Sequence, residues 1–432
     1  MITESPVNIT NDILSGFDSF DLQSDAMAEL RANAMDAFRQ SGIPTTRHEE
    51  WKYTNVKALT ERFNRFGNGS PSGMVASNHI EPLLLAGKSV CLLVFENGVF
   101  IESLSSTAPE GLVVQNLATA IQDAAVKQYL GKIASSDTDA FVAINTAFMR
   151  DGVFIHVPAK AQASKPIHIL YINTSAEAVV TRNLVVAESG SSVEIIESYH
   201  SLNDSQEGFT SNVTEVVVKQ NANVTWVKAQ LENDRTSQIS FTQVEQEQDS
   251  RFSSSVMTLG GKLTRNNLHI RLGGTNCNAH MYGLYLLDGH QLCDNHTLVD
   301  HAMPHCESNE LYKGILNDSS SGVFNGKIFV RQDAQKTNAY QSNKNILLSD
   351  DAQMNTKPQL EIFADDVKCS HGTTTGQIDE EALFYLRARG IGEQAARTLL
   401  NIAFVGDVLS HIENETLRDQ FQALAEAKLM RS

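Results

Sequence analysis

The sequence predicts a mainly β chain with helical ends, best read as a β-helix body between an α-helical N-terminal part and an α-helical C-terminal part. Three observations carry that expectation. Between residues 151 and 368 helix-length patterns vanish, and short period-2 runs follow one another at a spacing of ~10–15 residues, with Asn, Ser, Gly and Asp between them. The stretch is long for one sandwich, and stacked repetition handles that length by burying each turn's apolar face on the next, although a large sandwich or barrel fits the same pattern. Outside that stretch, apolar residues recur at helical spacing.

Taken in order, residues 1–150 read as a helical and mixed domain. From Asp25 to Gln40, Met27, Leu30, Ala34, Ala37 and Phe38 recur at helical spacing, with Asp25 where an N-cap belongs and Gly42 and Pro44 as stops. Arg47 to Thr54 places Trp51 among charges, the mark of an amphipathic turn packing its ring on the main body. Residues 63–75 are rich in Asn, Gly and Ser and read as a linker. Val90 to Phe95 and Gly98 to Ile101 read as a strand pair, followed by a helical patch from Ala118 to Tyr129.

The β-body spans 151–368. Its clearest runs are Val153 to Val157, Ile167 to Ile172, Leu184 to Ala187, Val193 to Glu197, Val213 to Val218, Val224 to Ala229, Ile239 to Val244, Leu268 to Leu272, Tyr282 to Leu287, Gly322 to Val330 and Ile346 to Leu348. The repeat is loose: Asn183-x-x-Val186 followed by Gly190-Ser-Ser-Val193 shows it best, and there is no strict hexapeptide period.

Residues 369–432 form the third part. Near Gln377 a helix begins, with Asp379, Glu380 and Glu381 in its first turn, Arg387 and Arg389 in its last and Gly390 as a left-handed stop, an arrangement that complements the helix dipole. Its middle, Ala382 to Leu386, is apolar on nearly every face, which suits either packing inside the tail or docking of a partner. Helices from Glu393 to Phe404 and Asn414 to Leu429 follow.

Composition narrows the function. A net charge of −17 argues against nucleic acid and against an anionic membrane surface, both of which ask for a basic footprint. No basic residue precedes Arg31, so no signal or transit peptide is expected, and the apolar runs fall far short of the ~20 residues of a membrane span. Five scattered cysteines do not read as a disulfide framework. The expectation is a reduced, cytoplasmic chain.

Two clusters invite chemistry. His290, Cys293, His296, His301, His305 and Cys306 bring soft and borderline ligand types close in sequence. On a strand, however, Cys293 and His296 point to opposite faces, and Pro304 breaks the His301–His305 spacing as a helical pair. The expectation is stacking and hydrogen bonding between rungs, with Asp294, Asn295 and Asp300 as partners. Cys369-Ser370-His371-Gly372 is the second: a strand sends Cys369 and His371 to one face, a thiol and an imidazole that suit iron, zinc or copper(I) but fill only half a tetrahedral site. P-loop, GxGxxG, HExxH and GxSxG patterns are absent.

The run from Cys369 to Ile391, with Asp379-Glu-Glu-Ala-Leu-Phe-Tyr-Leu-Arg-Ala-Arg-Gly390 inside it, closely resembles the signature of the SufD family of iron–sulfur cluster assembly proteins, paralogues of SufB. Asp294 to His301, Pro304 to Cys306 and Tyr312-Lys-Gly-Ile-Leu316 resemble its central motif. Arg47 to Thr54, with Glu50-Trp51-Lys52-Tyr53, resembles its N-terminal one. The resemblance implies a right-handed parallel β-helix flanked by helical parts. It implies a non-catalytic scaffold, with a transient iron–sulfur cluster or iron built at an interface between the β-helix end and SufB, near His371 and Cys369. It implies docking of the ATPase SufC on the C-terminal helical part, through Leu383, Phe384, Tyr385, Leu386, Arg389 and Gly390. Trp51, Tyr53, His296, His301, His305, Cys306, Tyr312 and Lys313 match family positions and are read as mainly structural. Reduced flavin is associated with such complexes, without a residue here to assign to it, and a homodimer of the isolated chain stays open. The alternatives are a β-helix carbohydrate-active enzyme and a zinc-binding structural protein.

Overall fold

A computed structural model describes residues 6–18, 27–60 and 72–430. Two sheets face one another, and the chain passes between them in about eight turns. One sheet holds β1 (Cys91–Glu96), β2 (Val99–Phe100), β5 (Ile167–Asn173), β7 (Ser192–Ser201), β9 (Asn223–Leu231), β11 (Arg251–Thr258), β13 (Asn278–Leu287), β15 (Glu307–Leu316), β17 (Asn338–Leu347) and β19 (Lys368–Gly376). The other holds β3 (Val113–Asn116), β4 (Val153–Val157), β6 (Ala178–Ala187), β8 (Gly208–Val218), β10 (Thr236–Gln246), β12 (Leu263–Leu272), β14 (Leu292–His301), β16 (Ser321–Val330) and β18 (Gln353–Ile362). From β4 onward each strand pairs in parallel with the strand two ahead, so every turn adds one strand to each sheet; β1 joins the same ladder through β5. This is a parallel β-solenoid.

The space between the sheets is filled by inward residues such as Ile155, Ile169, Val185, Val216, Trp226, Tyr285 and Tyr312. Both outer faces are also covered over part of their length. The helices α1 (Pro6–Asp18), α2 (Ala28–Ser41), α3 (Lys57–Thr60), α4 (Ser77–Ile80), α5 (Leu117–Ala120), α6 (Ala124–Tyr129) and α7 (Ala140–Phe148) precede the long ladder. Of these, α2 and α7 pack with Trp51 on the outer face of the sheet containing β6 and β8. The helices α8 (Glu380–Ala388), α9 (Glu393–Leu409) and α10 (Glu415–Leu429) end the chain, and α9 and α10 cover Tyr282, Leu284, Leu286 and Ile315 on the opposite sheet. Strands covered on both faces are buried at every residue, as β6 and β8 are.

Several boundaries differ from those read in the sequence. The division at residue 369 falls inside β19, so Cys369 and His371 belong to the solenoid and the helical tail starts at Glu380. Their strand is polar, and backbone pairing with β17, not hydrophobic alternation, makes it a strand. Asp25 lies outside the described residues, and α2 begins at Ala28 with Met27 before it. Most of the 63–75 linker is likewise outside them. Its described end is tethered, because the Gly73 and Met74 amides each donate 3.1 Å bonds to the Glu96 carboxylate. The helical patch after Ala118 is two short helices, α5 and α6, with Asp123 capping the second through a 2.8 Å bond from the Ala125 amide.

A structural repeat underlies the loose sequence repeat. On one side of the solenoid a residue in the left-handed region, Asn221, Asp249, Asn276, His305 or Lys336 (φ 57° to 62°), opens each corner. Directly after it stands a small buried residue: Ala222, Ser250, Cys277, Cys306 or Thr337. The position recurs once per turn and only small side chains occupy it.

Candidate functional site

The last turn leaves one end of the solenoid open. Each of β18 and β19 pairs with a strand on one edge only. The register sets Cys369 beside Ala339, His371 beside Gln341 and Thr373 beside Asn343. Ala339, Gln341 and Asn343 are buried between the sheets, so alternation puts Cys369 and His371 on the inner face of the last rung, with Ser370 turned away. Cys369 is half-buried against Ile328, Val330, Ala334 and Ala364, and burial pushes its thiol above the ordinary value. His371 is exposed because no further rung covers it. Met281, Glu310, Gln341 and His371 form one inward column across four rungs. Within it Gln341 Nε2 donates to Glu310 Oε2 at 2.7 Å, Gln341 Oε1 is buried with no partner among the described residues, and burial pushes the Glu310 carboxyl up to about 7. Tyr340, Ile362 and Phe363 stand exposed around the same end.

The motif around Trp51 clamps the N-terminal part to β12 and β14. Trp51 is buried, its ring stacked on Phe141 at 5.0 Å and under the Arg265 guanidinium at 3.7 Å. Arg265 Nη1 donates to the Glu50 carbonyl at 2.8 Å and to Asp294 Oδ2 at 2.6 Å, and the Thr54 hydroxyl donates to the same carboxylate. Burial alone would raise Asp294, but Arg265 and His296 overcome it and hold the carboxyl well below the usual range. His296 lies 2.9 Å from Asp294 and 3.3 Å from Glu50. Burial would lower its value, yet these two carboxylates turn the net shift upward. Tyr53 is half-exposed at the rim of this cluster.

The C-terminal motif helix splits its residues between two tasks. Leu383 is buried and holds α8 down, facing the protein because α8 lies on α9. Phe384 and Tyr385 instead point outward, 74% and 56% exposed. Leu386 is half-buried, Arg389 stacks on the Tyr385 ring at 4.5 Å, and Gly390 adopts φ 88° as the left-handed stop. Lys313 ties α9 to the solenoid. Its buried ammonium donates to the Phe404 carbonyl at 3.1 Å and lies 2.6 Å from Asp407. Tyr312, its neighbour, points inward and packs on Phe324. Beside this anchor Tyr282 stacks on His411 at 4.0 Å.

The dense His and Cys segment disperses. Cys293 is in the core, pushed up to about 12 by burial, while His296 faces Glu50 of the N-terminal part. His301 points inward to Ser308 at 2.9 Å, and His305 sits at a corner with φ 61°. Among the described residues no three His, Cys, Asp or Glu side chains gather to hold a metal. A groove of about 1000 Å³ runs between the outer face of β9, β11 and β13 and the turn joining α9 to α10. Among the described residues its wall carries Arg251 beside Glu194, Asp249, Glu307 and Glu413. No helix is long and apolar enough to cross a membrane among the described residues.

The sequence reading missed Gln341, Glu310, Arg265 and Asp407 as partners of these groups. Each lies far along the chain from the residue it supports, and none stands in a recognisable motif.

Comparison with known proteins adds two family profiles. Residues 170–404 match one described as the SUF system FeS cluster assembly, SufBD core domain, and residues 19–169 match the SufBD protein N-terminal region. An iron–sulfur cluster assembly SufBD family protein of Synechocystis sp. is 34% identical, covering 92% of this chain and 90% of the relative. The iron–sulfur cluster assembly protein SufD of Escherichia coli is 33% identical, covering 89% of each. SufD of Bacillus subtilis is 27% identical over 74% of each.

Proposed function

The chain belongs to the SufBD family of iron–sulfur cluster assembly proteins, and from that premise we propose that it is a non-catalytic scaffold subunit of a complex with SufB and the ATPase SufC. Membership gives it a part in assembly by the Suf system and displaces the carbohydrate-active and zinc-protein readings. The observation that carries the finer reading is the open last rung. Its unpaired strand edges invite continuation by another sheet, and it presents Cys369 and His371 together on the inner face. A thiolate and an imidazole suit iron or a nascent cluster as cargo, and the remaining ligands then come from SufB across the junction. The same edges allow two copies to pair when the partner is missing.

SufC docks in this reading on α8, whose Phe384 and Tyr385 are large apolar side chains left in solvent. Movement of the docked ATPase reaches the solenoid through α9, which Lys313 fixes to β15. The test is to reconstitute the three-protein complex with His371→Ala. Cluster formation should fall at least tenfold while the complex still assembles. Full cluster formation by the variant overturns the role of His371.

A further inference from the structure

We infer that Cys277 and Cys306 form a redox-active dithiol that closes to an intrachain disulfide across two adjacent rungs. The argument starts from the corner repeat. At this position the side chain normally bonds back to the carbonyl three residues earlier: Ser250 Oγ to Glu247 O at 2.6 Å, Thr337 Oγ1 to Ala334 O at 2.9 Å, and Cys277 Sγ to Gly274 O at 3.1 Å. Cys277 Sγ also lies 3.1 Å from Glu247 O on the preceding rung, and Cys306 Sγ repeats that reach, lying 3.2 Å from the same Gly274 oxygen and 3.6 Å from Pro304 O beside it. Two thiols therefore converge on one acceptor.

The backbones suit a bridge. The Glu307 amide donates to the Cys277 carbonyl at 2.9 Å, so the β13–β15 register of Asn278 with Glu307 runs on through the corner and sets Cys277 beside Cys306. Neighbouring rungs lie about 4.8 Å apart, inside the Cα separation of about 4.4–6.8 Å that disulfides span. Both residues are almost fully buried, and the corner backs onto the wall of the 1000 Å³ groove that Asn276, Cys277 and Asn278 help to line. The contact with Cys306 lowers the Cys277 thiol and the same contact raises Cys306, which makes Cys277 the thiol that attacks first and Cys306 the proton-holding partner.

The chemistry balances with a low-molecular-weight disulfide such as glutathione disulfide as oxidant. Cys277 thiolate attacks it, forming a mixed disulfide and releasing one glutathione thiolate. Cys306 then gives up its proton and attacks the Cys277 sulfur, releasing the second glutathione. Two protein thiols are oxidised and one small disulfide is reduced.

The experiment incubates the folded full-length chain with glutathione disulfide, blocks remaining thiols and maps the peptides without reduction. The Cys277–Cys306 bridge should be the main internal disulfide. Cys306→Ser should stop at a glutathione adduct on Cys277. Cys277→Ser should leave Cys306 unmodified. Serine already occupies the equivalent corner at Ser250, so both variants keep the fold. The inference is overturned if both thiols stay free in the folded chain, if the bridge forms only in urea, or if Cys306→Ser carries no glutathione on Cys277.

Discussion

His168, His200, His269 and His301 are held neutral by burial, at about 3, 4, 4 and 4. Their folded values are depressed, so the stability they allow is whole above the ordinary histidine value near 6.5 and is lost as the pH falls toward about 4. An imidazole NMR titration should find all four neutral at pH 5; a charged one in the folded chain at that pH would refute its burial. Glu310 has the opposite sign. Burial raises it to about 7, so its contribution is full below about 4.5 and is lost as the pH rises through 7. Glu310→Gln should therefore gain stability over the parent between pH 5 and pH 8, by no more than about 3 kcal/mol, read from urea midpoints at the two values. An equal difference at both pH values would contradict the assignment. Trp51 was legible as a packed ring, but not its sandwich between Phe141 and Arg265. Trp51→Ala should cost about 3–5 kcal/mol in urea unfolding, because it opens a cavity and strips the guanidinium of its stacking partner.

At the scale of elements, two glycines let tyrosines lie across the interior. A Cβ on Gly283 would meet the Tyr312 ring at 2.2 Å, and one on Gly314 would meet the Tyr285 ring at 2.1 Å. Gly283→Ala and Gly314→Ala should each destabilise by about 1–3 kcal/mol through overpacking, whereas Gly406→Ala, in open space on α9, should be neutral or stabilising. Thermal melts of the three variants give the comparison. The tail helix makes a similar contrast. Phe384→Asp with Tyr385→Asp should leave the melt unchanged, since both side chains are in solvent, yet abolish SufC retention in a pull-down. Undiminished retention would remove the docking role of α8. Strand legibility followed aliphatic content: β4 was read at its observed bounds, while β11, β15 and β18 went unread. Their inward positions mix polar or small residues, such as Ser254, Glu310, Gly314 and Thr356, with apolar ones such as Phe252, Tyr312 and Met354, so no strict apolar alternation marks them.

For the whole molecule, the two helical parts clamp opposite faces of one long body, and Lys313 is the buried ionic link on the C-terminal side. Lys313→Met should speed hydrogen exchange in α9 at least tenfold while leaving β7 to β13 protected; uniform protection would show that apolar packing alone holds the helix. The sequence by itself determined the strand-forming body, the helical ends, the family motifs and the pairing of Cys369 with His371 on one face, because side-chain alternation and helical spacing are properties of neighbouring residues. Only the tertiary structure decided which rung is last, that Leu383 is buried while Phe384 is not, and that Cys306 reaches back to Cys277. Those outcomes depend on the register between turns and on where the stack ends, and residues a full turn apart meet through backbone pairing that no local pattern encodes.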